Sequence, residues 1–326
     1  MSKVSVVIRC YNEEEHIGRL LSGIMEQTLQ DIEIVIVDSG STDATLAIAS
    51  RYPVKIVSIK PDEFSFGRSL NRGCQAATGD FIVIASAHVY PVYQDWLEKM
   101  LEPFSDNNIA LVYGKQRGNE ITKYSEHQVF AKWFPEQSNY RQTHPFCNNA
   151  NAAIRRSLWE KLPYDENLTG LEDLDWAKKI LSIGYQIAYV AEAAIVHVHD
   201  ETAKRIYNRY FREALAFKKI FPQEHFHIGD FTKLIVANLI SDYYHAWHDG
   251  VVWKNFLSIP VFRLMQFWGT YRGFARHGVI TSELKRTFYY PRMFSRPTHN
   301  LGGGVGERII DYGKLTRENT IEKIHR

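Results

Sequence analysis

Val4-Ser-Val-Val-Ile-Arg-Cys-Tyr-Asn-Glu13 and Ile34-Val-Ile-Val-Asp-Ser-Gly-Ser-Thr-Asp43 are two short, almost wholly apolar runs, each ending in polar and small residues. Strands buried on both faces of a parallel sheet have this composition, and their carboxyl ends open into the crevice where such sheets bind ligands. Between them, within Glu13 to Gln30, the residues Ile17, Leu20, Leu21, Ile24 and Met25 form one apolar stripe at helical spacing. A second helix is expected after the Asp38–Asp43 loop, with Thr42 or Asp43 as its cap and Leu46 and Ile48 opening its apolar face. Val54 to Ile59 reads as a third strand and Ser69 to Ala77 as a third helix; Gly79-Asp80 turns the chain into a strand from Phe81 to Ala85. The order βαβαβαβ predicts a right-handed parallel sheet in an α/β fold.

Four motifs in this order carry a resemblance: V-S-V-V-I-x-x-Y-N-E from Val4, I-V-I-V-D-S-G-S-T-D from Ile34, N-x-G-x-x-x-A-x-G-D-F-I from Asn71, and Gly170-Leu-Glu-Asp-Leu-Asp-Trp176. Together they resemble family 2 glycosyltransferases over about the first two hundred residues, and their linkage is far more specific than any one motif alone. The resemblance implies a GT-A (Rossmann-like) nucleotide-sugar-binding sheet flanked by helices and an inverting transfer. It also implies a UDP-, dTDP- or GDP-linked donor and a glycan or lipid-linked acceptor, as in cell-surface polysaccharide synthesis. The Phe-Ser-Phe-Gly element from Phe64 and the region Phe104 to Gln116 are similar, in part, to a rhamnosyltransferase-like branch.

The residues themselves suit these roles. A nucleotide base needs an aromatic or apolar wall and a directional acceptor, so Tyr11, Glu13 and Asp38, at adjacent strand ends, are expected to contact base and ribose. Asp43 serves equally well as a helix cap. Arg68, just before the third helix, is a candidate for the donor diphosphate or a plain surface arginine, and Asn71 either holds that loop or touches the nucleotide. Asn149 and Asn151, in Cys147-Asn-Asn-Ala-Asn151, both donate and accept, as sugar hydroxyls require, although asparagine equally serves loop geometry.

One departure from the family pattern stands out. Where the family carries Asp-x-Asp for a divalent metal, this chain reads Ser86-Ala87-His88. Loss of two carboxylates disfavours Mg²⁺, whereas an imidazole at His88 suits Mn²⁺ or another transition metal; contact of His88 with phosphate, or simple packing, are the alternatives. Ser86 stays a candidate donor contact. In Ala194-Ile-Val-His-Val-His-Asp200, strand alternation sends His197 and His199 to one face, where they could join His88 around a metal; the resemblance implies a late histidine at the metal or diphosphate and points to His197 or His199, His197 being preferred. Metal binding would then fail as the histidines protonate near pH ~6.

Inverting transfer needs a carboxylate that removes the acceptor hydroxyl proton during attack on the anomeric carbon. The family places this base in a pair that matches Glu172-Asp173, and Asp173 is the expected base, with Glu172 raising its pKa by repulsion. The same acids, with Asp175, also suit a helix N-terminus. Gly170 is expected to permit a tight approach.

The chain of 326 residues has room for a catalytic domain, 1–203, and a mainly helical C-terminal extension, 204–326. Three scattered cysteines, Cys10, Cys74 and Cys147, read as reduced thiols, and with no signal-like opening and no apolar run of about 20 residues the expected location is cytoplasmic. The net charge of +2 speaks against nucleic acid. Arg205, Arg209, Arg212, Lys218 and Lys219 are followed by Trp247, Trp253, Phe256, Phe262, Phe267, Trp268, Tyr271 and Phe274, with Arg263, Arg272 and Arg276 interleaved. Such a belt suits peripheral attachment at the inner face of the cell membrane; a homo-oligomer interface or internal packing uses the same residues. The tail from Thr298, with Gly302 to Gly304, reads as a linker to a short final helix. Two readings without catalysis remain beside the enzyme: an inactive nucleotide-sugar binding module and a membrane-associated scaffold.

Overall fold

The computed structural model describes residues 3–275 and 308–315. Nine strands form one sheet: β1 (Val4–Cys10), β2 (Ile32–Asp38), β3 (Val54–Ser58), β4 (Phe81–Ser86), β5 (Val89–Pro91), β6 (Ile109–Arg117), β7 (Asn139–Gln142), β8 (Asn151–Arg155) and β9 (Gln186–His197). The order is β3-β2-β1-β4-β8-β6-β9-β5, with β7 also on β9. The first four strands pair in parallel, as their apolar runs predict. Beyond β4 the sheet is mixed, because β8 runs antiparallel to both β4 and β6. The expected parallel sheet is therefore only the amino-terminal half.

Helices α1 (Ile17–Met25), α2 (Thr45–Ala49), α3 (Phe66–Ala76), α4 (Trp96–Leu101), α5 (Tyr124–Trp133), α6 (Arg156–Lys161) and α7 (Glu172–Ser182) complete this layer. Alternation along β1 sorts the core. Val6 and Ile8 face Leu20, Leu21 and Ile24 of α1 and Trp96 of α4. Val7 faces Leu70 and Cys74 of α3 and, further along the same face, Trp176 of α7. Each such aliphatic side chain contributes roughly 1.5–3 kcal/mol on burial. Helix α3 lies so close to the sheet that a Cβ at Gly73 would overlap the side chains of Val7 and Val37.

The helices differ from expectation at their starts. α1 begins at Ile17, after a turn closed by the Glu13 carbonyl, and α3 begins earlier, at Phe66, capped by Ser65. Asp43 precedes α2 and ties two loops: Oδ1 accepts from the Thr45 N–H at 2.9 Å and Oδ2 from the Glu14 N–H at 3.1 Å.

Beyond β9 the described chain is helical: α8 (Ala203–Ile220), α9 (Ile228–His248), α10 (Val252–Asn255) and α11 (Ser258–Phe274). Leu174 of α7 joins Ala214, Phe217, Leu234, Phe267 and Phe274 in one apolar cluster, which seats these helices against the start of α7. Arg263, expected on the outer belt, is instead buried and paired with Asp242 at 2.7 Å. The expectations for Arg276 and for the tail from Thr298 through Gly304 lie outside the described residues.

Candidate active site

A cavity of about 800 Å³ opens at the carboxyl ends of β1 and β4. Arg9, Tyr11 and Glu13 enter it from β1 and the loop after it, and Ser86 and His88 from the end of β4. Asn149, the Gly170–Asp173 turn, the end of β9 and Arg205, Arg209 and Arg212 of α8 close the remaining sides.

Asp173 sits in the first turn of α7, where three acids complement the helix dipole. Unlike an ordinary surface acid it is 8% exposed, and it still lines the cavity. Burial, then repulsion from Glu172, pushes its carboxyl up to about 7, against the Asn149 N–H at 2.9 Å and the Leu174 N–H at 2.8 Å. A carboxylate that exchanges its proton near neutrality suits general-base work. Glu172 is committed elsewhere, to Arg9 at 3.1 Å, while Asp175 pairs with Lys179 at 2.6 Å. The residue before them, Leu171, has φ of 56°, an uncommon conformation for a bulky side chain. Gly170, expected to allow a tight approach, does no such thing: a Cβ there would meet only Arg212 Nε, at 3.7 Å.

Asn149 carries a second signal. Its side chain is buried within the cavity wall, yet neither its Oδ1 nor its Nδ2 has a hydrogen-bond partner among the described residues. Buried amides without partners cost about 1–3 kcal/mol, so this one is poised for a ligand.

Three imidazoles gather opposite. His88 stacks on His197 with centroids 5.0 Å apart, and His197 and His199 approach to 4.0 Å, so the two late histidines do share a face although β9 ends at His197. Each has one nitrogen within 4.8 Å of the others. His197 Nδ1 meets Gln116 Oε1 at 2.8 Å and His199 Nδ1 meets Glu126 Oε1 at 2.6 Å, so both act as donors there. In neutral rings this leaves the two Nε2 lone pairs facing each other across 3.0 Å. A proton or a cation between them removes that repulsion, and so would a 180° turn of the Gln116 amide. Burial, reinforced by His199, His88 and Arg209 for His197 and by Arg209 and His88 for His199, holds both well below the ordinary histidine range. A proton is therefore disfavoured, and neutral nitrogen donors of this kind fit a transition-metal ion. The protonation expected near pH ~6 shifts lower for the same reason. Glu13 Oε1 holds His88 Nδ1 at 2.8 Å, as an outer carboxylate orients a ligand imidazole.

The other sequence candidates divide. Tyr11, Glu13, Ser86 and Asn149 line the cavity, whereas Asp38, Arg68, Asn71 and Asn151 do not. The Asp38 carboxylate accepts from the Gly40 and Ser41 N–H groups of its own loop. Arg68 pairs with Glu166 at 2.8 Å and donates to the Glu63 carbonyl. Asn71 satisfies its whole amide on Trp159, Tyr164 and Glu166, and so holds the loop leading to α7. Asn151 is buried and donates to the Lys115 and Ala193 carbonyls, where the β6–β9 ladder is irregular between Gly114 and Gln116. It stitches the break whose far side aims Gln116 at His197. Sequence reasoning missed Arg9, Gln116 and Glu126. A charge inside an apolar strand was a readable signal for Arg9; Glu126, which binds both His199 and Arg209, had none. Arg205, Arg209 and Arg212 were expected in a membrane belt, but they face the cavity.

Residues 5–162 match the family model described as Glycosyl transferase family 2. The chain is 33% identical over 197 residues to the O-antigen chain rhamnosyltransferase WbaN of Salmonella anatum, covering 57% of this chain and 62% of that one. It is 28% identical over 223 residues to the O-antigen chain rhamnosyltransferase RfbN of Salmonella typhimurium, covering 64% and 70%. The match to WbaN thus spans less than two thirds of that relative. Among solved structures, the mannosyltransferase PcManGT of Pyrobaculum calidifontis, in complex with GDP-Man and Mn²⁺, superposes with TM-score 0.55 at 20% identity over 84% of each chain. S. aureus TarS 1-349 in complex with UDP superposes with TM-score 0.52 at 16% identity, over 81% of this chain and 90% of that one. The fold is the GT-A arrangement of these neighbours.

Proposed function

We propose that the protein, whose residues 5–162 match the glycosyl transferase family 2 model, is a member of that family and moves a sugar from a UDP-, dTDP- or GDP-linked donor to a hydroxyl of a glycan or lipid-linked acceptor, with inversion. The observation that carries this reading is Asp173, a buried carboxylate facing the cavity with its pKa at about 7. It takes the acceptor proton as the oxygen attacks the anomeric carbon, and the nucleoside diphosphate departs on the opposite side. The Asn149 and Leu174 N–H groups fix the carboxylate's orientation. Arg9 supports the reaction indirectly, by holding the Glu172 charge. Asn149 offers its unpaired amide to a sugar hydroxyl. Tyr11, Glu13 and Ser86 bound the donor side, and Asp38, Arg68 and Asn71 shape it from behind.

His88, His197 and His199 would hold a divalent cation, Mn²⁺ in preference to Mg²⁺, and its chemistry would be to neutralise charge on the leaving diphosphate. Arg205 and Arg212 supply further positive charge on the same cavity. The chain divides into a catalytic region, 1–203, and an extension, 204–326, whose described helices complete the site through α8. The protein works in the cytoplasm, in polysaccharide synthesis. The readings as an inactive module or a scaffold are not favoured, because neither needs a buried base at the cavity wall.

The test is thermal unfolding of the full chain against a panel of UDP-, dTDP- and GDP-linked sugars, with and without Mn²⁺. One nucleotide class should raise the midpoint, and only those donors should release nucleoside diphosphate when acceptor is added. Protection by none of them would refute the reading.

A further inference from the structure

A second, smaller chamber of about 150 Å³ lies beside the base. Asp173, Leu171 and Glu213 line both this chamber and the main cavity, so the catalytic carboxylate belongs to a wall common to the two. Val129, Phe130 and Trp133 of α5, then Phe134, Phe146 and Phe217, give the chamber a largely aromatic lining. The rings follow one another closely: Trp133 stacks on Phe146 with centroids 4.2 Å apart, Phe146 lies 5.8 Å from Phe134, and Phe134 lies 6.1 Å from Phe130.

Polar atoms stand beside these rings without partners. Gln116 spends its Oε1 on His197, and Glu126 spends its Oε1 on His199 and Arg209. The remaining Gln116 Nε2, a donor, and Glu126 Oε2, an acceptor, are buried and have no hydrogen-bond partner among the described residues. Both residues line the small chamber and not the main cavity. Water alone suits such walls poorly, because a buried water needs roughly two to four polar partners. A pyranose ring supplies what the lining lacks: hydroxyls at its rim that both donate and accept, and C–H faces that pack on aromatic rings. The size agrees, since an apolar cavity of ~150 Å³ takes one six-membered ring. Charge narrows the class further. Glu126, Asp173 and Glu213 stand against one cationic side chain of the chamber wall among the described residues, Arg209, whose Nη2 already bridges Glu126 and Glu201 at 2.6 Å each. A phosphate or a uronic acid would be buried beside an excess of like charge, and an uncharged sugar is not.

We propose that this chamber is the acceptor subsite and takes one uncharged pyranose ring, with its C–H face on the rings of α5, its hydroxyls on Gln116 and Glu126, and the hydroxyl to be glycosylated turned to Asp173. Acceptance there rests on the transfer reading above: the hydroxyl oxygen bonds the anomeric carbon, its proton passes to Asp173, and the bond to the leaving diphosphate breaks. Selection among acceptors then falls to α5 and to the helices of the extension, since Phe217 of α8 and Thr270 of α11 both line the chamber.

The experiment is saturation-transfer NMR on the full chain with Mn²⁺ and UDP, dTDP or GDP. The probes are the methyl glycosides of glucose, galactose, mannose, rhamnose and N-acetylglucosamine, with methyl glucuronide as the charged probe. At least one neutral glycoside should receive saturation at its ring C–H protons, and the glucuronide should not. Two variants that fill the chamber, Val129→Phe and Thr270→Met, should each weaken that glycoside about tenfold or more while leaving the donor's effect on the melting midpoint unchanged. Trp133→Phe keeps a ring in the wall, and the glycoside should change the fluorescence of wild type but not of this variant, which reads the site even where a filled variant fails to fold. Saturation of no neutral glycoside overturns the proposal, as does equal saturation of the glucuronide. So does wild-type affinity in both filled variants, and so does a Trp133 signal that the glycoside leaves unaltered. Donor protection measured on the same samples separates the two claims: donors that protect a chain to which no glycoside binds strike the subsite alone, and glycoside binding without donor protection strikes the transfer reading alone.

Discussion

Replacing Asp173 by Asn should abolish transfer and, above neutral pH, fail to destabilise the protein. The wild-type carboxyl moves from its ordinary value of 3.8 to about 7 on folding. The native state therefore binds the proton more tightly than the unfolded state, so stability falls as pH rises from about 4 to about 7 and is flat beyond. A displacement of that size corresponds to about 4 kcal/mol as an upper bound. Against it, an Asn side chain can accept only one of the two N–H bonds from Asn149 and Leu174, and its NH₂ group faces the other donor, costing about 1–3 kcal/mol. The Asn variant should thus be the less stable protein at about pH 3.5, where the wild-type carboxyl is protonated in both states, and equal to or more stable than wild type at pH 8. Urea unfolding at both pH values reads this difference, and transfer assays at pH 8 should show a loss of ~10²–10⁴ in rate that narrows as the wild-type carboxyl protonates at lower pH. A stability difference that does not change with pH would show that the carboxyl is not strained, and undiminished turnover would remove it from the reaction.

Four further outcomes follow from the same geometry. Wild-type transfer should rise with pH through about 7 as Asp173 loses its proton, and a rate already flat from pH 5 would count against it. Asn149→Ala should leave the melting midpoint unchanged or higher, since it deletes an unsatisfied buried amide, yet lower kcat/KM by roughly tenfold to a hundredfold; a large drop in stability would mean the amide has a structural partner. Gly170→Ala should alter stability by less than about 0.5 kcal/mol, whereas Gly114→Ala, which would drive a Cβ into the Ala193 carbonyl and the Asn151 amide, should cost about 3 kcal/mol or more; equal effects in urea titrations would contradict the packing. His199→Ala should abolish Mn²⁺ binding seen by isothermal calorimetry, while chelator-resistant activity with no metal uptake by wild type would favour direct phosphate contact by the imidazoles and the α8 arginines.

The amino-terminal half of the fold was legible because burial on both faces leaves continuous apolar runs that little else produces. β1, β2 and β4 fall where those runs do, and the strand-end residues Tyr11 and Glu13 reach the cavity. The second half was harder. β8 is five residues, Asn151–Arg155, and nothing in so short a run reveals that it runs antiparallel. Asparagines and arginines read alike from sequence whether they face ligand or stitch backbone, which is why Asn149 and Asn151, two positions apart, diverge. One is left unpaired at the cavity and the other is saturated inside the β6–β9 break. The basic stretch after Thr202 combined two surfaces. Its first arginines turn to the cavity because α8 packs across the carboxyl ends; Phe262, Phe267 and Phe274, expected in the same belt, are buried, and Trp247, Trp253 and Phe256 remain on the outer face. The histidine cluster was legible from alternation, but its partners Gln116 and Glu126 lie more than 70 residues away in sequence and emerge only with the fold.

The most direct test of the central claim is the anomeric configuration of the product, read by proton NMR after transfer from the donor that protects the wild-type chain. Inversion relative to that donor, with no product from Asp173→Asn under the same conditions, is the expected result. Retained configuration, or inverted product formed as fast by the Asp173→Asn variant, would contradict the assignment of Asp173 as the base of an inverting transfer.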